Sequence, residues 1–217
     1  MKALAFFSIF AFFICLYGED DLVTVLLGKY TGIKSFSSDY ERVFTQNSTA
    51  KKSFDNGKIL FSAPSDIRMD TFVDKKLTEQ TFVNSEKTVF IYHTKKSVLN
   101  KKSAGEAGEY LAFLQGLDEV KKKFDIADST ASIDKARKTG IEIKDGAKLL
   151  KLTPKDSIGN VKYIFLVAVN NEIDSVVIID QLKNINQFKF KNLKYNPKIE
   201  KKDLIPVIPK GYETSDF

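Results

Sequence analysis

The chain is 217 residues long, 43% hydrophobic, with 34 Lys and Arg against 28 Asp and Glu, a formal net charge of +6, one His and one Cys. A modest lysine excess is a solubility feature rather than a nucleic-acid surface, and single Cys and His residues rule out a disulfide framework and a Cys/His metal site. The fold must therefore be held by core burial, for which 18 Phe and 8 Tyr supply material.

Met1 and Lys2 precede a short apolar run over 3–16, and Glu19 and Asp20 follow. This pattern is that of a secretory signal peptide, and the run is shorter than the roughly 20 residues a membrane-spanning helix needs. Cleavage after Gly18 is expected, giving a leader at 1–18 and one domain at 19–217. Phe12, Phe13 and Ile14 stand where a lipoprotein signal has small residues, so Cys15 is read as part of the leader.

Leu22, Val23, Leu26, Leu27 and Tyr30 share a helical face, with Asp20 and Asp21 placed favourably at its start. After Gly32 the period becomes two, with Phe36, Ser38, Tyr40, Arg42, Phe44 and Gln46 on one side of a half-buried strand. A second strand led by Gly57 is expected at 58–62. Others follow at 67–73, 77–84, 88–94 and 97–100, joined by gaps short enough for antiparallel hairpins. Over 109–125, Tyr110, Phe113, Leu114, Leu117, Val120 and Phe124 recur at helical spacing, and three lysines close the segment. Glycines ahead and polar loops behind make 101–145 the expected mobile cover of the sheet. Strands resume at 147–152, 161–169, 175–181 and 188–193. The runs 164–169 and 176–179 are apolar on both faces, which suits a strand covered on both sides.

Catalysis finds no foothold. His93 ends a strand without a nucleophile near it in sequence, no calcium loop or phosphate-binding glycine loop is present, and the carboxylate pairs Asp39/Glu41 and Asp66/Asp70 read as strand surface. The chain is read as a non-enzyme without metal or cofactor. A sheet with apolar faces and amphipathic helices can instead enclose acyl chains. At about 0.8 kcal/mol per CH₂, a chain of about 16 carbons carries roughly 12 kcal/mol of water avoidance, which only a broad apolar surface offsets.

Phe36 with Phe44-Thr45-Gln46, Gly57-Lys58-Ile59 with Pro64, Lys151-Leu152-Thr153-Pro154-Lys155 and the segment 206–212 follow one another in an order that resembles the LolA family of periplasmic lipoprotein carriers. Phe36 and Phe44-Thr45-Gln46 match its Phe-rich first strand, and Gly57-Lys58-Ile59 with Pro64 match its second. Lys151-Leu152-Thr153-Pro154-Lys155 resembles its Leu-Thr-Pro-Lys stretch, and 206–212 resembles its closing Pro-x-Gly segment. The resemblance implies an α+β fold: an unclosed antiparallel β-barrel of about eleven strands, with helices forming a lid over an apolar cavity. It also implies a monomeric periplasmic protein that carries acylated lipoproteins from an inner-membrane lipoprotein-releasing ABC transporter to an outer-membrane receptor, binding no nucleic acid. Phe61, Ile67, Met69, Val73, Val89 and Ile91 are expected to line the cavity, with Leu111 and Leu114 in its lid. The family's lid-holding arginine is replaced here by Ala63, and Arg68 would point away from Ile67 and Met69 on its strand. The alternative is a periplasmic sensor module of the RseB type, bound to a membrane partner; such sensors carry a second domain.

Overall fold

The computed structural model describes residues 21–64, 66–84, 88–103, 117–205 and 208–216, so the expected leader lies outside the described residues. Helix α1 (Leu22–Gly28) starts at Asp21, whose carboxylate accepts the Val23 N–H at 3.3 Å and caps an otherwise orphaned donor. Its periodic residues Leu22, Val23, Leu26 and Leu27 are buried, as the spacing predicts.

Six strands follow as a meander: β1 (Ser35–Thr45), β2 (Lys52–Ser62), β3 (Asp66–Val73), β4 (Lys76–Val83), β5 (Thr88–His93) and β6 (Val98–Ser103). After α2 (Leu117–Lys123) come β7 (Phe124–Asp128), a 3₁₀ turn (Thr130–Ser132) and α3 (Ile133–Lys138). The chain then forms β8 (Lys148–Pro154), β9 (Val161–Val169), β10 (Glu172–Asp180), β11 (Ile185–Tyr195), α4 (Lys201–Leu204) and β12 (Glu213–Asp216). These make one twelve-stranded sheet in the order β12-β6-β5-β4-β3-β2-β1-β11-β10-β9-β8-β7. Its two ends do not pair, so the expected unclosed barrel with helices on its inner side is what forms. One strand departs from the antiparallel expectation: β12 pairs parallel to β6.

Period-two alternation sorts side chains into two apolar clusters. The inner cluster joins α1 and Val120 of α2 to Phe36, Tyr40, Ile59, Phe61 and Ile67, and across the sheet to Ile164, Leu166 and Val176. The outer cluster joins α3 to Ile141, Ala147, Leu149, Val167, Val177 and Ile179. Strands β9 and β10 are thus apolar on both faces because each face has its own cover. On the outer side Gln187, itself buried, accepts the Glu142 N–H and donates to the Glu142 carbonyl, pinning the loop after α3 to β11.

Three sequence expectations are corrected here. Gly57 does not lead β2 but sits inside it, after Lys52 to Asn56 have already paired with β1. The helix expected to run to Asp125 stops at Lys123, because Phe124 turns into the inner cluster and pairs with Pro154. Within the stretch expected to cover the sheet, β7 joins the sheet itself and α3 packs on its outer face.

Gly57 faces Tyr40 on one neighbouring strand and Thr71 on the other. The Tyr40 ring crosses over it, and its hydroxyl meets Thr71 Oγ1 at 2.7 Å in a buried hydrogen bond. A Cβ on Gly57 would come within 2.2 Å of the Asp70 carbonyl oxygen and 2.4 Å of the Tyr40 ring. Gly28, by contrast, has nothing within 4 Å of such a Cβ. Gly57→Ala is therefore expected to cost about 1–3 kcal/mol through overpacking, whereas Gly28→Ala gains a few tenths to about 1 kcal/mol from reduced chain entropy. Urea unfolding midpoints that move in the same direction for both variants would contradict this packing.

Candidate functional site

The inner face holds a cavity of about 370 Å³, at the low end of the roughly 300–1,000 Å³ typical of small-ligand sites. Its buried wall is apolar: Ile59 on β2, Ile67 on β3, Val83 on β4, Val161 on β9 and Val176 on β10. Met69, Ile178, Phe188 and Phe190 complete that wall from half-buried positions packed on the inner cluster.

The polar lining residues are Arg42, Thr71, Glu79, Thr81, Asn160, Asp180 and Asn186. Most of them share one edge of the sheet, because Thr45 pairs with both Lys52 and Ile185, Asp180 with Val161, and Glu79 with His93. Exposure rises toward that edge, from buried Ile67 and Val83 to half-buried Arg42 and Glu79 and exposed Asn160. The cavity therefore has its mouth there.

Arg42 forms a bidentate pair with Asp55, Nε at 2.9 Å and Nη2 at 2.6 Å from Oδ2, and its guanidinium carbon lies 5.9 Å from the centre of the Phe188 ring. The Asp55 side chain is only 7% exposed against 32% for Arg42, so the pair is asymmetric, with a buried anion under a cation at the mouth. His93 Nδ1 is 3.2 Å from Glu79 Oε2. The Asn186 Oδ1 atom is buried among the lining residues with no hydrogen-bond partner.

The opposite edge is closed. Tyr30, just past α1, accepts the Ile173 N–H at 2.9 Å and packs edge-on against Tyr195. Desolvation, reinforced by the neighbouring Tyr195 hydroxyl, raises the pKa of Tyr30 well above the ordinary phenol range. Burial pushes that of Tyr40 up to about 12. Both phenols stay neutral near neutral pH and act as hydrogen-bonding ends of apolar rings.

Of the residues expected to line the cavity, Ile67 and Met69 do. Phe61 and Val89 are buried in the surrounding core and Ile91 packs against it, while Leu111 and Leu114 lie outside the described residues. Val73 stands apart, 40% exposed as the last residue of β3, beyond the lining residues and next to the turn into β4. Ala63 is exposed at the closed edge, its N–H donating to the Lys34 carbonyl. Arg68 lies on the outer face, as the alternation implies, where it grips the Asp203 and Ile205 carbonyls at 3.0 and 3.1 Å and pairs with Asp70. It thereby holds the C-terminal segment rather than a lid. Sequence reasoning missed Ile59, Val83 and the half of the wall that comes from β9, β10 and β11. The alternation Val176, Ile178, Asp180 was the available signal, masked by apolar residues between them that serve the outer cluster.

No family model and no curated protein matches the chain. Among solved structures it aligns with a LolA superfamily protein from Nitrosomonas europaea over 85% of this chain and 96% of that one, at 7% identity and a TM-score of 0.48. A putative outer membrane lipoprotein-sorting protein domain from Vibrio parahaemolyticus aligns over 84% and 94%, at 9% identity and 0.45. The Pseudomonas aeruginosa MucA/MucB complex aligns over 86% of this chain and 60% of that one, at 14% identity and 0.41.

Because Asp55 is the more buried partner, Arg42→Met should cost about 2–4 kcal/mol by stranding its charge, whereas Arg42→Met combined with Asp55→Leu should recover most of that loss. Denaturant titration of both variants checks this, and a double variant no more stable than the single one would contradict it.

Proposed function

We propose that this protein is a periplasmic carrier that takes the acyl chains of lipoproteins into the inner-face cavity and ferries them from the inner to the outer membrane. The observation that carries the reading is the cavity itself, an apolar pocket inside an unclosed sheet with a polar mouth at one edge. Its volume is of the order of one long acyl chain, so additional chains of a triacylated cargo require the helices over the inner face to shift outward. Loaded and empty forms are then the two states of the carrier, and handover follows relative affinity rather than nucleotide hydrolysis.

The mouth suits the other end of such a cargo. Arg42 Nη1 has no hydrogen-bond partner among the described residues, and Asn186 Oδ1 lacks a donor. Ester carbonyls and an amide N–H of an acylated cysteine would satisfy both, and pairing the buried Asn186 oxygen would offset its desolvation. An inner-membrane lipoprotein-releasing ABC transporter as donor and an outer-membrane receptor as acceptor complete the proposed route.

Placing a charge at Met69 should expel the chain. Met69→Asp is expected to weaken extraction of a labelled lipoprotein by about thirtyfold, corresponding to roughly 2 kcal/mol of lost apolar burial. Unchanged extraction by a folded Met69→Asp protein would rule out this cavity as the acyl site. Mass spectrometry of lipid co-purifying with the wild-type protein tests the cargo, with triacylated peptides the expected finding and lipid-free protein the contrary one.

A further inference from the structure

We infer that the edge of the sheet surrounding the cavity mouth is a docking surface for an anionic lipid bilayer. Strand register places five connections along this edge: 46–51, 74–75, 94–97, 155–160 and 181–184. Three of them carry adjacent lysines, Lys51-Lys52, Lys75-Lys76 and Lys95-Lys96, and a fourth carries Lys183; all seven are exposed. None of the seven forms an ion pair among the described residues.

The acids on the same edge do not balance them. Asp180 is engaged by Asn184 through both carboxylate oxygens, and Glu79 faces His93. With Asp74, Asp156 and Glu213, the last beside the 94–97 connection, these acids are still fewer than the seven lysines. At the opposite edge Lys29 faces Glu172 at 3.8 Å. The edge with the mouth therefore carries a group of exposed lysines that form no ion pair among the described residues.

Two exposed apolar side chains accompany the lysines, Leu182 at 72% and Phe54 at 65% exposure. Apolar tips flanked by lysines match the boundary of a bilayer, where rings and branched chains enter the acyl region and ammonium groups meet headgroup phosphates. The tips are also preorganised. Asn47 donates its N–H to Asn184 Oδ1 and its side-chain amide to the Leu182 carbonyl, tying two tips together, while Thr94 Oγ1 donates to the Leu77 carbonyl and ties two more. Docked in this way, the mouth faces the membrane and a chain can pass between bilayer and cavity without crossing open water. The surface depends on the carrier reading for its purpose, not for its existence.

The test is co-sedimentation of the purified protein with phosphatidylcholine vesicles, with and without phosphatidylglycerol. Binding is expected only to the anionic vesicles, and high salt should abolish it. Replacing Lys51, Lys52, Lys75 and Lys76 by Gln should weaken binding at least about tenfold, with an unchanged unfolding midpoint and unchanged uptake of a soluble fluorescent fatty acid. Equal binding to neutral and anionic vesicles would overturn the inference, as would wild-type binding by the lysine variant. Retention on immobilised poly-glutamate without any vesicle binding would overturn it too, assigning the edge to an acidic protein instead. Failure to take up the fatty acid while vesicle binding persists would count against the carrier reading and leave the docking surface standing.

Discussion

An unclosed sheet with an apolar inner face cannot be left bare. A closed barrel hides its interior by pairing its last strand with its first, but here β7 and β12 remain apart. Every other feature answers that constraint. Helix α1 and Val120 cover part of the inner face, Tyr30 and Tyr195 close one edge, and the remainder persists as a cavity. The outer face of β8 to β10 needs a second cover, which α3 and the loop through Ile141 and Ile143 provide. The cavity is therefore the part of the inner face that the fold leaves uncovered.

Much of this was legible in the sequence, and the limits have physical causes. Leu22, Val23, Leu26 and Leu27 announced α1, and the alternation from Phe36 to Arg42 announced β1, because each pattern has one buried face. The doubly apolar runs in β9 and β10 correctly implied cover on both sides, but for the same reason could not say which residues faced the cavity. Strand β7 was invisible: five residues with one alternation cannot be told from the end of a helix. Val73 was misplaced because alternation gives a face but not a depth: it is the last residue of β3 and stands exposed beyond the lining.

Partners that lie far apart in sequence were equally out of reach. The Tyr40 hydroxyl reaches Thr71 only because Gly57 lies between them in space, and nothing near Arg42 marks Asp55 as its counter-ion. These contacts follow from register, which exists only once the hairpins have closed. Arg68 shows the reverse case. Alternation alone assigned it to the outer face, and there it grips backbone carbonyls of the C-terminal segment.

The cover over the inner face is held by packing more than by hydrogen bonds. Ala63 contributes a backbone N–H to Lys34 at the closed edge and no side-chain hydrogen bond. Helix α1 is held by its buried apolar face and by a buried hydrogen bond from the Ile173 N–H to the Tyr30 hydroxyl. Apolar contacts are non-directional and weaken gradually with displacement, whereas a charged hydrogen bond fails within about an ångström. A cover held mainly by packing can slide as a chain enters, exchanging its own apolar contacts for contacts with the chain at little net cost. With the Tyr30 anchor at one edge and the mouth at the other, such movement would pivot about the closed edge, and under the proposed carrier role it would widen the cavity at the mouth.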